Sequence, residues 1–208
     1  MTHIAAASSP STRHLVGWNG EARRFKPSLH LREDELHDLL LKAPEVIADD
    51  LMWIGQQVNT GNGRKLDLLG LTRSGALIVI EAKRSANAAE AFAAAIIHHR
   101  WAKCLSTQDL IEHYEEFCGG QLVVDFYNAF GDAIALNGSV SLCVVAPDAH
   151  RLAPSIAALD ASGIGAFGVE FECFDGGGER FFTFEQVHQP RRGHDNSRVQ
   201  RRNHSRKI

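Results

Sequence analysis

The spacing of hydrophobic residues changes along the chain and divides it into helical and extended segments. Leucine and alanine recur every three or four positions in some segments, which predicts amphipathic helices, whereas short apolar or alternating runs predict strands. The predicted helices are residues 29–43, 85–105, 106–117 and 150–163. The predicted strands are residues 52–58, 66–71, 76–80, 140–147, 166–174 and 180–187.

Turn and cap residues support several of these boundaries. Ser28 is the candidate N-cap of the first helix, Pro44 ends that helix, and Gly163 ends the last one. Residues 72–75 predict a tight hairpin between the second and third strands, with Gly75 available for a positive φ. The order is helix, three strands, helix, helix, strand, helix and two strands, which predicts a mixed α/β domain built around one central sheet.

The composition is that of a single globular domain with atypical ends. The 208 residues are 44% hydrophobic and 23% charged, and no apolar run approaches the roughly 20 residues that cross a membrane. Residues 29–188 form the predicted domain. Residues 1–28 lack periodicity and are predicted to be disordered, with a short strand near residues 23–25. Four widely spaced cysteines form no C-x-x-C pair, which favours free thiols and a cytoplasmic location.

The charge is distributed unevenly between the body of the chain and its end. Residues 191–208 carry seven basic residues against Asp195 alone, a charge of +6, so the other 190 residues carry −9 of the net charge of −3. Residues 189–208 are therefore predicted to be a basic, disordered tail. Such a tail is compatible with binding to nucleic-acid phosphates, and equally with a solvated terminus that has no partner.

One predicted strand ends in an unusual way. The apolar run at residues 76–80 breaks directly into Glu81, Ala82 and Lys83, and Asp67 lies on the preceding strand of the hairpin. Because side chains alternate along a strand, Glu81 and Lys83 are expected on one face and Ala82 on the other. Pairing of the two strands is expected to bring the Asp67 carboxylate close to that of Glu81.

The residues before this break predict a strand that is covered on both sides, because Val79 shares the face of Glu81 while Ile78 and Ile80 lie opposite. Two carboxylates at the rim of such a strand repel each other unless a cation lies between them, and oxygen ligands suit Mg²⁺ or Mn²⁺. Lys83 beside the ion would orient a water or stabilise charge on a phosphoryl oxygen. The alternative is an ordinary ion pair at the edge of a sheet.

Asp67, a hairpin and then Glu81-Ala82-Lys83 together resemble the PD-(D/E)XK nuclease superfamily, whose restriction-endonuclease-like core is helix, three-strand meander, helix and strand. With the segments "REDELHDLLLKAPEVI", "IGQQV" and "GRKLDLLGLTRSGALIVIEAKR", residues 30–187 are similar to NucS-like endonucleases. The resemblance implies this core, followed by a C-terminal helix and β-hairpin, and Mg²⁺-dependent hydrolysis of DNA. Asp67, Glu81 and the carbonyl of Ala82 would bind the ion, and Lys83 would be the catalytic lysine.

The same resemblance points to further positions on two helices. The superfamily often has another acid on its first helix, which Glu33 matches best and Glu35 second; an acid that only complements the helix dipole is the alternative. NucS-like nucleases usually have Gln, then often Tyr one turn later, on the helix after E-x-K, where this chain has Ala94 and His98. Alanine cannot hold water or phosphate, which weakens the match to an active enzyme. His98 is either a phosphate contact or an ordinary helical histidine.

Polar residues around the motif complete the set of candidates. Arg64, Lys65 and Arg84 flank the acidic residues and are either phosphate-binding cations or ordinary solvated charges. Gln56 and Gln57 either line the pocket or are simply polar residues at the end of a strand.

The sequence therefore favours a Mg²⁺-dependent endodeoxyribonuclease, with Mn²⁺ as the second candidate ion and DNA as the partner. The alternative is a catalytically weakened nuclease-fold module that binds nucleic acid without cleaving it. A third candidate is a different phosphoesterase or an RNA-directed enzyme, because a fold does not fix a substrate. A homodimer is a further expectation, since many nucleases of this type cut both strands as dimers.

Overall fold

The computed structural model describes residues 13–16, 21–28, 30–61, 63–136, 138–176 and 178–187. The strands of these residues are β1 (Arg13–Val16), β2 (Ala22–Pro27), β3 (Leu51–Asn59), β4 (Lys65–Thr72), β5 (Leu77–Ala82), β6 (Val140–Ala146), β7 (Ala166–Gly176) and β8 (Glu179–Gln186). The α-helices are α1 (Glu33–Lys42), α2 (Ala88–Ala102), α3 (Thr107–Cys118), α4 (Leu122–Phe130) and α5 (Ala153–Ala161).

The strands form one sheet in the order β1-β2-β7-β6-β5-β4-β3, with β8 paired to β7. β3, β4 and β5 are an antiparallel meander, and β5, β6 and β7 run parallel. The predicted core of helix, three-strand meander, helix and strand is therefore confirmed as α1, β3 to β5, α2 and β6. The predicted C-terminal helix and hairpin are confirmed as α5 and the β7–β8 pair.

The hairpin between β4 and β5 fixes the register of the strands that carry the acidic motif. The Thr72 backbone N–H donates to the Ala76 carbonyl at 2.9 Å, and Gly75 has φ = 82°. That positive φ is readily available to glycine, as the sequence predicted for this turn. In the resulting register Leu68 pairs with Ile80. Asp67 and Glu81 come directly next to this pair, each on its own strand.

α1 and α2 cover the two faces of this sheet with side chains of different size. Leu36 and Leu40 of α1 pack against one face, together with Leu68, Ile78 and Ile80. The small residues of α2 pack against the other face, in the cluster that contains Leu69 and Val79; these helix residues are Ala88, Ala91, Ala95 and Ala102. The predicted separation of Val79 from Ile78 and Ile80 is confirmed, and all of β5 is buried.

The start of α1 differs from the prediction. The helix begins at Glu33 rather than after Ser28, and the Arg32 backbone N–H donates to Glu35 Oε2 at 2.8 Å. Ser28 does not cap the helix, because its backbone N–H donates to the Cys173 carbonyl of β7 at 2.7 Å and keeps the chain next to the sheet.

Other differences lie in segments without a clear periodic signal. Helix α4 was not predicted; it buries Leu122 and Phe126, one turn apart. β1 and β2 lie inside residues 1–28, for which the sequence indicated disorder, and β2 is the short strand expected near residues 23–25. The predicted tail, residues 189–208, lies outside the described residues. None of the described helices has the length and hydrophobicity needed to cross a membrane.

Candidate functional site

Asp67 is held in place by two hydrogen bonds from neighbouring strands. Its Oδ2 accepts the backbone N–H of Ala82 at 3.0 Å, and its Oδ1 accepts the side-chain N–H of Gln57 at 2.9 Å. The side chain is buried. A charged carboxylate in this position is fixed in direction before any ligand arrives, because both oxygens are already oriented by the sheet.

Gln57 is the polar residue of β3 that reaches the site. It is the one non-glycine residue with positive φ, 51°, among the described residues. The left-handed conformation costs a non-glycine residue about 1 kcal/mol or more, and such positions cluster at functional sites. The sequence left Gln56 and Gln57 undecided, and of the two it is Gln57 that bonds Asp67.

Glu33 and His37 face Asp67 from α1. They lie four residues apart and therefore share one side of the helix. His37 Nε2 is 3.7 Å from Asp67 Oδ2, too far for a hydrogen bond, and the His37 side chain is only 7% exposed. In the part of the chain that the structure describes, this buried nitrogen has no hydrogen-bond partner.

Lys83 joins the same group from the end of β5. Its Nζ donates to Glu33 Oε1 at 2.7 Å and lies 4.0 Å from Asp67 Oδ2. Glu35, the competing helix acid, instead accepts the Arg32 backbone N–H. The geometry therefore brings Glu33, rather than Glu35, to Asp67 and Lys83.

Glu81 makes its hydrogen bond to α2 rather than to α1, although its carboxylate still interacts electrostatically with Asp67 and Lys83. A hydrogen bond of 2.7 Å joins its Oε1 to His98 Nδ1 on α2, and the two residues are only 3% and 1% exposed. The expectation that Glu81 and Lys83 share a face stays a prediction, and their side chains bond different helices, α2 and α1. β5 ends at Ala82, and Lys83 follows it and pairs with α1.

The ligand-capable side chains can be grouped by distance. Among the described residues, one group of three or more has potential ligand atoms that all lie within 4.8 Å of one another, and it consists of Glu33, His37 and Asp67. Glu81 is not a member of this group. We refer to Glu33, His37 and Asp67 as the α1 cluster.

The residues predicted to contact nucleic acid differ in their exposure to solvent. Arg64 and Lys65 are exposed at the start of β4, and Arg84 is exposed with its Nη1 donating to the Leu31 carbonyl at 3.5 Å. His98 is buried and hydrogen-bonded to Glu81, so it does not lie on a surface that a phosphate can approach. Ala94, at the position where the resemblance implies Gln, is partly buried one turn before His98.

The electrostatic environment differs between the buried acids. Burial alone would raise the pKa of Asp67, but the His37 imidazole, the Ala82 N–H and the Lys83 ammonium outweigh it and lower that pKa. Burial dominates for Glu81 and raises its pKa despite the His98 contact. Burial would lower the pKa values of His37 and Lys83, but their carboxylate partners outweigh it and raise both. Of these two buried acids, Asp67 is thus the one that stays charged more readily.

The donor set fits a divalent cation. Glu33 and Asp67 offer carboxylate oxygens, which hard divalent ions prefer, and His37 offers an imidazole nitrogen. Lys83 lies beside these ligands with an ammonium group that can contact a bound anion. His37 was not among the candidates from the sequence, although its spacing of four residues from Glu33 places both on one helix face and is a signal that could have found it.

Comparison with known proteins gives two similar solved structures. No protein-family model and no curated protein matches the sequence. A repair endonuclease from Pyrococcus abyssi is 17% identical, over 70% of this chain and 50% of that one, with a TM-score of 0.38. A complex of EndoMS with double-stranded DNA is 16% identical, over 82% of this chain and 70% of that one, also with a TM-score of 0.38.

The chain spans half of the length of the Pyrococcus protein. The chemistry of the site rests on the residues of this chain, namely the α1 cluster and Lys83.

Proposed function

We propose that this protein is a metal-dependent endonuclease that hydrolyses phosphodiester bonds of DNA, with Mg²⁺ or Mn²⁺ as cofactor. The observation that carries the proposal is the position of Lys83, whose Nζ is 2.7 Å from Glu33 Oε1 and 4.0 Å from Asp67 Oδ2. Two carboxylates and a lysine, brought together where β5 ends and α1 begins, provide cation ligands and a positive group for a phosphoryl oxygen.

The residues divide the work between holding an ion and handling the phosphate. Asp67, fixed by Ala82 and Gln57, and Glu33 from α1 would hold the cation. When bound, a divalent ion lowers the pKa of a water and neutralises charge on the phosphate. Lys83 keeps a proton at Nζ, since its pKa is raised despite burial, and would donate to a non-bridging phosphoryl oxygen.

The ligand set implied by the family resemblance is Asp67, Glu81 and the carbonyl of Ala82, and it remains a prediction. Exposed cations near the site, Arg64 and Arg84, are proposed to contact the phosphates on either side of the cleaved bond. Homodimer formation and a cytoplasmic location also remain predictions.

A cleavage assay tests the proposal directly. Duplex, single-stranded, mismatched and branched DNA are incubated with the full chain and either Mg²⁺ or Mn²⁺. We expect cleavage that is lost in Lys83→Ala and kept in the matched control Lys103→Ala, whose ammonium lies on the surface and donates to the Gly138 carbonyl at 2.7 Å. Cleavage that survives Lys83→Ala would remove the assignment of this lysine.

A second candidate function is a nuclease-fold module that binds nucleic acid without cutting it. It is favoured by the Glu81 carboxylate, which is hydrogen-bonded to His98 at 2.7 Å and stands apart from the α1 cluster. In that case no DNA is cut with either ion, while binding weakens steeply as salt concentration rises. The same preparations used for cleavage decide between the two functions.

A further inference from the structure

We infer that His37 is a metal ligand, so that Glu33, His37 and Asp67 form a mixed nitrogen and oxygen site that binds Mn²⁺ more tightly than Mg²⁺. This inference rests on the proposed function, because it specifies the ion and the ligands of the same site. It replaces Glu81, the ligand expected from the sequence, with a histidine from α1.

The first argument is the state of the His37 nitrogen. Its Nε2 is buried in a side chain that is 7% exposed, and it has no hydrogen-bond partner among the described residues. A buried polar atom without a partner costs roughly 1–3 kcal/mol. Among the described residues Trp53 Nε1 and His98 Nε2 share this property, but of the three only His37 belongs to the group of closely spaced potential ligands. The His37 Nε2 atom faces Asp67, and a cation between the two would satisfy it.

The second argument is distance. His37 Nε2 and Asp67 Oδ2 are 3.7 Å apart, beyond hydrogen-bond range. Two ligands that bind one ion at about 2.0–2.2 Å lie roughly 3 Å apart at a right angle and up to about 4 Å apart at wider angles. The separation therefore suits two ligands of one ion better than a direct contact. The potential ligand atoms of Glu33 join within 4.8 Å, so a shift of the side chain completes the set.

The third argument is that the existing hydrogen bonds leave room for an ion. Each Asp67 oxygen accepts one hydrogen bond, from Gln57 or from Ala82, and a carboxylate oxygen has two lone pairs. Lys83 contacts Glu33 through Oε1. These bonds orient the carboxylates while a lone pair on each residue stays available for a cation.

The donor chemistry then selects the ion. Carboxylate oxygens suit Mg²⁺, Ca²⁺ and Mn²⁺, whereas imidazole suits transition metals. Mg²⁺ also gives up its waters reluctantly and is seldom bound by a set of protein ligands that includes histidine. A site with one imidazole and two carboxylates is therefore expected to prefer Mn²⁺ over Mg²⁺.

The test uses the full chain and Mn²⁺ as the probe. Calorimetry and the EPR signal of free Mn²⁺ give the affinity, and pulsed EPR detects coupling between bound Mn²⁺ and a nitrogen nucleus. We expect one tightly bound Mn²⁺ with nitrogen coupling in the wild type. His37→Gln is expected to abolish the coupling and to weaken binding at least about tenfold, while weakening Mg²⁺ binding less.

Two further variants separate ligand loss from misfolding. Glu33 lies at the half-exposed start of α1, so Glu33→Gln is expected to fold, to bind Mn²⁺ at least about tenfold more weakly and to keep the nitrogen coupling. His150→Ala is the matched control, because His150 forms a comparable pair with Glu170, at 2.5 Å, on the surface. It should leave both affinity and coupling unchanged.

The outcomes distinguish this inference from the proposed function. Bound Mn²⁺ without nitrogen coupling, or coupling that persists in His37→Gln, would overturn the inference even if DNA is cut. Mn²⁺ binding that is weakened by Glu81→Gln but not by His37→Gln would also overturn the inference. It would favour Asp67 and Glu81, the ligand pair expected from the sequence. Conversely, a nitrogen-coupled Mn²⁺ in a protein that cuts no DNA would support the inference and remove the proposed function.

Discussion

Two histidine–carboxylate pairs lie on opposite faces of the same sheet, and they are built differently. On the α2 side, His98 and Glu81 are joined at 2.7 Å and almost completely buried. On the α1 side, His37 and Asp67 stand 3.7 Å apart, with Glu33 and Lys83 beside them. The first pair is joined directly through His98 Nδ1, although His98 Nε2 is buried without a hydrogen-bond partner among the described residues. No hydrogen bond joins the second pair, and two further charged side chains lie beside it.

The difference shows that burial and a shifted pKa do not identify a functional acid by themselves. Glu81 has the raised pKa often taken as a sign of catalysis, yet it is enclosed between β5 and α2. Asp67 has a lowered pKa and is oriented by Ala82 and Gln57 toward residues of another element. The partners of each carboxylate, rather than the direction of its pKa shift, separate the two acids.

The largest expected effect is on cleavage and compares the two acids directly. Asp67→Asn keeps the size of the side chain but removes its charge, so we expect the cleavage rate to fall by about 10³-fold or more. Glu81→Gln keeps a hydrogen-bonding partner for His98, and we expect a loss below about tenfold. Single-turnover cleavage of duplex DNA at saturating Mn²⁺ measures both.

Folding of both variants is checked by circular dichroism before the rates are compared. Equal losses for Asp67→Asn and Glu81→Gln would break the comparison, because both acids would then act in one site. That result would restore the ligand pair predicted from the sequence.

The next effect is on stability and measures how tightly each pair is coupled. A double-mutant cycle with Glu81→Ala and His98→Ala is expected to give a coupling energy of about 2–3 kcal/mol, because the partners are buried and hydrogen-bonded. The corresponding cycle for His37 and Asp67 without metal is expected to give less than about 1 kcal/mol, since no hydrogen bond links them. Urea unfolding of the four variants of each cycle supplies the values.

A bound metal ion should change the coupling energy of one pair only. With excess Mn²⁺, the His37–Asp67 coupling is expected to rise while the Glu81–His98 coupling stays the same. Coupling energies that respond equally to Mn²⁺ would show that both pairs contact the same ion.

Much of the fold was predictable because its signals are local. The unbroken apolar run of β5, the hairpin at residues 72–75 and the alanine-rich α2 each follow from a few consecutive residues. Helix α4 was missed because β-branched and aromatic residues dominate it, and only the spacing of Leu122 and Phe126 indicates a helix. β1 is formed by pairing with β2, which no local pattern in that segment indicates.

The site was predictable at the level of residues but less at the level of geometry. Asp67, Lys83 and Glu33 were named from the sequence, and the structure brings them together. Glu81 is hydrogen-bonded to His98 on α2, which lies 17 residues further along the chain. This is a tertiary contact that no local pattern predicts. His37 was not named, although its spacing of four residues from Glu33 places both on one side of α1.

A smaller expected effect is stabilisation by the ion itself. Mn²⁺ at ten times its dissociation constant should raise the free energy of unfolding by about 1.4 kcal/mol, because it binds only the folded chain. Thermal unfolding with and without Mn²⁺ measures the gain, which His37→Gln and Glu33→Gln should lose at the same ion concentration. Retention of the full gain in both variants would place the stabilising ion elsewhere.

The smallest expected effect tests how Asp67 is held. Gln57 donates to Asp67 at 2.9 Å from a backbone with φ = 51°. Gln57→Ala and Gln57→Gly both remove the donor, so we expect about tenfold slower cleavage in each, because Asp67 loses part of its orientation. Only glycine relieves the backbone, and we therefore expect Gln57→Gly to be about 1 kcal/mol more stable than Gln57→Ala in urea unfolding. In an ordinary strand alanine is the more stable of the two, so that usual order would show that Gln57 carries no strain and that its position is not adapted to Asp67.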